Sequence, residues 1–170
     1  MSFSLIIPAA ADTEESQTEM PYIFSLDHEG IMLCVRAIMG LPLSKYDAVY
    51  FTILQSHDEK YYLSALLSLQ FKRQKINNAK VVILPSATRS QAETIRIERI
   101  SGSIFIKDAD GYFSCDVEPA NGVAIFPLEK MSLVNPQNKS FVAVDDMFYV
   151  TNVIEKKVVS HYFNAGASCF

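Results

Sequence analysis

The chain has 170 residues, 49% of them hydrophobic and 20% charged, which fits one globular domain with a sizeable apolar core. Its formal charge of −4 at pH 7 excludes the basic footprint used to hold nucleic acid or anionic membrane, so a bound phosphate must meet local lysines, backbone amides or a metal. The three cysteines, Cys34, Cys115 and Cys169, show no CxxC spacing; they exclude a zinc ribbon or disulfide framework and read as free thiols of a reducing compartment.

The N-terminal "FSLIIPAAA" lacks the basic region and the apolar length of a signal peptide. "GIMLCVRAIMGLPL" is interrupted by Arg36 and falls short of the roughly 20 apolar residues of a membrane span. A cytoplasmic, soluble protein is expected. In chain order, "FSLII" reads as a short buried strand that Pro8 ends, and the acidic "ADTEESQTE" (residues 11–19) as an exposed loop. "GIMLCVRAIMG" has helical length between two glycines. "DAVYFTILQ" is continuously apolar and β-rich, the pattern of a strand covered on both faces. "HDEKYYLSALLSLQFKRQK" predicts one long helix with acids early and bases late, as the helix dipole favours.

"AKVVILP" is the third strand. "SQAETIRIERI" predicts a helix with Ser90 as its cap and Glu93 three residues on, a capping-box spacing. "GSIFIK" is the fourth strand and ends at Asp108-Ala109-Asp110. Strands alternating with helices predict a parallel sheet between helical layers, a three-layer α/β/α domain. Beyond Gly111, "GVAIFPL", "SFVAVDD", "MFYVTNVIE" and "HYFNAGASCF" are short strand candidates, a mixed or antiparallel extension of the same sheet. A single domain over residues 1–170 is expected. The chain ends in mid-strand by pattern, as though C-terminal elements of a fuller domain were lacking.

In an open α/β sheet, ligands sit at the carboxyl ends of the strands. The loops after the first, third and fourth strands converge there, which makes Asp108 and Asp110 candidates for Mg²⁺ or Mn²⁺, hard cations that take carboxylate oxygens and bring substrate phosphates with them. Asp110-Gly111 is equally a common turn dipeptide, and spacing alone leaves both readings open. His28, His57 and His161 are scattered without metal spacing, and Ser168 lies in no nucleophile elbow.

"LIIPAA", "MPYIFSLDHEGIMLCVRAI", "TRSQAETI", "IFIKDADGYF", "VTNVIEKKVVS" and "NAGASCF" occur in the order found in sugar-phosphate nucleotidyltransferases, and the chain resembles that family over nearly its whole length. The capsule and lipopolysaccharide biosynthesis members are the nearest in pattern. The resemblance implies a Rossmann-like, GT-A-like nucleotidyltransferase fold with a mixed, mainly parallel sheet. It also implies that Pro8, Ala9, Ala10 and Ala11 open a nucleotide loop, and that Ser90, Gln91 and Ala92 face the nucleobase. Asp108 and Asp110 would hold Mg²⁺, with Asp110 the more direct ligand, while Glu155 and Lys156 would meet the sugar phosphate. Catalysis would rest on Asp110 and Lys156.

The chain departs from that family at its first loop. Ala11 stands where the family closes with glycine, no Gly-x-x-Arg follows, and Met20 replaces the lysine before Pro21. Ser90 stands where glycine is usual. Asp12, Glu14, Glu15 and Glu19 instead place like charge where a triphosphate would lie. Two unit charges about 4 Å apart repel by about 4 kcal/mol at an effective dielectric near 20. The implied function is transfer of a nucleotide from a nucleoside triphosphate to a sugar 1-phosphate in surface-polysaccharide precursor synthesis. The alternative is a catalytically impaired descendant that binds a nucleotide sugar or partners an enzyme. Neither nucleic acid nor membrane is an expected partner, and an oligomer is compatible with either reading.

Overall fold

The computed structural model describes residues 2–10, 19–88, 90, 92–94, 100, 102–131 and 135–170. They form two compact units, Met1–Asn121 with Cys169–Phe170, and Gly122–Ser168.

The first unit is built on four parallel strands: β1 (Phe3–Pro8), β2 (Ala48–Leu54), β3 (Ala79–Leu84) and β4 (Ser103–Lys107), in the spatial order β3-β2-β1-β4. Register runs Ile6 to Tyr50 on one side of β1 and Ile6 to Ile106 on the other. Leu5, Ile6 and Ile7 are buried in succession, as are Phe51, Thr52, Ile53 and Leu54, so both faces of these strands are covered. At the opposite edge of β4, Phe170 exchanges both backbone hydrogen bonds with Ile104, each 2.9 Å, an antiparallel contact.

The helices differ from the sequence expectation in instructive ways. The helix expected over residues 30–40 is only α1 (Leu33–Arg36), followed by turns. The Asp27 carboxylate accepts the Glu29 and Ile31 amides and the Arg36 Nε–H, and Leu26 bridges Met32, so this stretch is held as a turn. Gly30 adopts φ +73°, which ends any helix there. At Gly40 the reason for glycine is space: a Cβ would lie 2.2 Å from the Phe113 carbonyl oxygen.

The single long helix expected after β2 is two. α2 (Gln55–Tyr61) stops at Tyr62, which sits in the left-handed region at φ 56°, and α3 (Leu63–Arg73) follows. The cause is Asp58, whose carboxylate accepts the Ser64 amide at 2.7 Å and the Ser64 hydroxyl at 3.0 Å, offering the backbone a local alternative to continued helix. α3 buries Leu63, Leu67, Gln70 and Phe71 along one face, with the Phe71 ring 4.9 Å from that of Phe51. Residues 92–94 are helical, and the Ser90 hydroxyl oxygen accepts the Glu93 amide at 3.2 Å, the expected cap contact. Gln91 and residues 95–99 of that expected helix lie outside the described residues.

The second unit is antiparallel. β6 (Ser140–Val144) pairs with β7 (Val150–Glu155) and, through Phe141 and Phe163, with β8 (Tyr162–Cys169), while β5 (Gly122–Pro127) pairs with β8. β7 begins later than the "MFYVTNVIE" expectation because Asp145 folds the preceding residues into a turn. Its Oδ1 accepts the Met147 and Tyr149 amides, both at 2.9 Å, and Phe148 is held at φ 63°.

Candidate functional site

β1 has β2 on one side and β4 on the other, so the chain order reverses across the β1–β4 pair; crevices for ligands open at the carboxyl end of such a switch point. Pro8 and Asp108 each lie two residues beyond the paired Ile6 and Ile106, one at each lip. Pro8 pairs with Thr52, and the Ala9 amide continues the ladder to the Thr52 carbonyl at 3.0 Å. Ala9 and Ala10 are buried, and Ala10 packs with Leu54, Leu84 and Val82. Their methyl groups close the core beneath the lip. Ala11 and residues 12–18, including Asp12, Glu14 and Glu15, lie outside the described residues; Glu19 is exposed and Met20 half-buried.

The other lip is the Asp108–Gly111 turn, and it is held from inside by a side chain that sequence reasoning passed over. Lys107 ends β4 with 0% of its surface exposed. Its ammonium donates to the Asp108 carbonyl at 2.8 Å and to the Gly111 carbonyl, and lies 4.8 Å from the centre of the Phe113 ring. Burial pulls its pKa below the usual lysine value, while the charges of Asp108 and Asp110 oppose that shift. With the turn's carbonyls satisfied inward, Asp108 is half-buried, Ala109 buried and Asp110 exposed.

Asp110 is also tied to the segment that follows Pro21. Just after Pro21, residues Tyr22–Phe24 form a short 3-10 turn anchored by the buried Phe24, and the Tyr22 hydroxyl donates to Asp110 Oδ2 at 3.1 Å. Burial, then the Asp110 charge and hydrogen bond, push the Tyr22 pKa up to about 12. The resemblance had singled out neither Tyr22 nor Lys107. The available signal was a lysine closing an otherwise apolar strand with an aromatic, Phe113, six residues on.

The Ser90 and Ala92 region leaves the same edge from β3, two strands from β1 and three from β4, roughly 10 and 14 Å at ordinary strand spacing. Both residues are exposed, Thr88 Oγ1 donates to the Ser90 carbonyl at 3.2 Å, and the Thr94 amide reaches the same carbonyl at 3.1 Å. Glu155 and Lys156 belong to the second unit, at the end of β7. Glu155 accepts the Ser140 hydroxyl, Lys156 Nζ lies 4.0 Å from Glu155 Oε1, and both side chains are about two-thirds exposed. An ion pair this open adds little stability.

Among the described residues no group of three or more Asp, Glu, His or Cys could enclose a metal. Asp108 and Asp110 alternate along one turn whose first and last carbonyls accept from Lys107. That donor set fits a divalent ion completed by phosphate oxygens and does not fit a self-sufficient protein cage.

No protein-family model matches this chain, and no curated protein matches it. Solved structures do. The inositol-1-phosphate CTP transferase from T. maritima aligns over 98% of this chain and 69% of its own, with TM-score 0.74 and 14% identity. A nucleoside-diphosphate-sugar pyrophosphorylase from Vibrio cholerae RC9 aligns over 99% and 72%, with TM-score 0.70 and 16% identity. HddC from Yersinia pseudotuberculosis, complexed with GMP-PN, aligns over 98% and 76%, with TM-score 0.64 and 12% identity. At such identities the likeness is one of architecture. The chain has the Rossmann-like α/β nucleotidyltransferase fold, with a mixed, mainly parallel central sheet.

Proposed function

We propose that the chain binds a nucleoside triphosphate or nucleotide sugar at the β1–β4 switch point and acts as a nucleotidyltransferase toward a sugar 1-phosphate in surface-polysaccharide precursor synthesis. The observation that carries this reading is the pair Asp108 and Asp110 on a fixed turn opposite Pro8, at the edge where this fold class takes its ligands. Asp108 and Asp110 would hold Mg²⁺, which when bound supplies charge neutralisation for the phosphates. In the reaction, an oxygen of the sugar phosphate bonds to the α-phosphorus in line as the bond to the pyrophosphate oxygen breaks. Such chemistry needs positioning and countercharge more than a protein nucleophile. Pro8 to Ala11 would border the phosphates, Ser90, Gln91 and Ala92 the base, and Glu155 and Lys156 keep the sugar-phosphate role that the resemblance implies.

A second reading has a specific observation behind it. Lys107, which ends β4 at this edge, is committed to backbone carbonyls, and Met20 stands where a cation would serve. Each missing phosphate donor costs about 10²–10³ in rate. Turnover at least about a thousandfold below that of a fully equipped enzyme follows, with nucleotide-sugar binding less affected. Thermal-shift titrations of nucleoside triphosphates and nucleotide sugars, with and without Mg²⁺, and pyrophosphate-release assays separate the two. Triphosphate turnover abolished by Asp110→Ala supports the enzyme; stabilisation by nucleotide sugars alone supports the binder; silence in every arm refutes both.

A further inference from the structure

A carboxylate pair at a turn ordinarily attracts a cation from solution. Here the turn already contains one. Lys107 is wholly buried, its ammonium bridges the carbonyls at the two ends of the Asp108–Gly111 turn, and Phe113 covers it with an aromatic face. Both Asp108 and Asp110 act electrostatically on it. It cannot swing out to meet a ligand without taking the side-chain donor from two partly buried carbonyls. Asp110 is further engaged by the Tyr22 hydroxyl.

We propose that Lys107 is a resident cation of this turn, keeping Asp108 and Asp110 from retaining a divalent metal by themselves, so that metal enters together with a phosphate-bearing ligand. The proposal rests on the metal-site reading given above and adds its regulation. A fixed positive charge inside the turn offsets one of the two carboxylate charges and repels an incoming dication at close range. A phosphate ligand supplies the missing negative charge and oxygen donors, and the balance then favours binding. Lys107 is a positioning residue in this account, since it touches neither substrate nor metal.

Mn²⁺ binding to the whole chain, followed by electron paramagnetic resonance and water-proton relaxation, tests this without any turnover assay. Wild-type protein is expected to bind Mn²⁺ alone with a dissociation constant above about 0.1 mM, and to take it up when ATP, CTP, GTP, UTP or a nucleotide sugar is added. Lys107→Met should tighten binding of Mn²⁺ alone by at least about tenfold, and Asp110→Asn in that background should abolish the gain. Unchanged Mn²⁺ affinity in folded Lys107→Met overturns the proposal. Should that variant fail to fold, the wild type decides: Mn²⁺ held alone below about 0.1 mM overturns it, and uptake only with a phosphate ligand supports it. If no nucleotide or nucleotide sugar binds but Lys107→Met still tightens Mn²⁺, the proposed function fails while the role of Lys107 stands.

Discussion

The Asp108–Gly111 turn after β4 and the Asp145–Tyr149 turn before β7 both begin with aspartate and carry a second one within two residues. In the later turn the first carboxylate is consumed by the backbone: Asp145 Oδ1 accepts two amides, and Asp145 and Tyr149 close a further backbone pair at 3.0 Å. In the earlier turn a buried ammonium satisfies the carbonyls, and the hydrogen bond of the Asp110 carboxylate runs to Tyr22, outside the turn. An Asp-rich turn can therefore close on its own carboxylate or leave an acid to a partner elsewhere in the chain. What decides is whether another group supplies the turn's hydrogen bonds.

The comparison breaks most directly at Lys107. Replacing it by Met keeps much of the volume but leaves the Asp108 and Gly111 carbonyls without their donor, and should lower unfolding free energy in urea by about 2–4 kcal/mol. A cost no larger than that of Asp110→Asn would mean that Lys107 does not hold the turn. Asp145→Ala removes acceptors for two amides at an exposed turn and should cost about 1–2 kcal/mol by the same measurement.

Asp110→Asn should change stability by no more than about 0.5 kcal/mol, yet alter a spectroscopic titration. Tyr22, 61% exposed overall, is raised from 10.0 to about 12 by partial burial and then by Asp110. Its raised value means that any stability it contributes is complete below pH 10 and is lost as pH climbs through about 12. In Asp110→Asn the tyrosinate absorbance of this residue should move part of the way back toward 10, since burial remains; no movement would place Asp110 away from Tyr22. A gain rather than a loss is expected at Lys156, held at φ 55° at the end of β7. Lys156→Gly should raise stability by up to about 1 kcal/mol, read as a shift in urea midpoint, because glycine adopts that conformation without strain.

The parallel core was legible because its signal is local: unbroken apolar runs such as "DAVYFTILQ" can be satisfied only by strands covered on both faces. The helix boundaries were less legible because single side chains redirected the backbone. Asp58 reaching Ser64 split one helix into two, and Asp27 gathering the Glu29 and Ile31 amides shortened another. That Asp108 and Asp110 follow β4 at the carboxyl edge could be read from chain order alone. Their supports could not. A lysine at a strand end reads as solvent-exposed by type, and Tyr22 lies 88 residues from the carboxylate it contacts.

Gly40 carries a consequence for how this sequence can drift. The Phe113 carbonyl occupies the space any side chain at position 40 would need, and Phe113 follows directly from the Lys107 turn and covers its ammonium. Substitution at 40 is thus a change to the acid-bearing turn, made from a distant part of the chain. Mutational paths through that position are closed while the turn is kept, and they reopen together once it is lost. Among descendants or library members, glycine at 40 is expected wherever the backbone at 113 keeps this path, whichever side chain stands there.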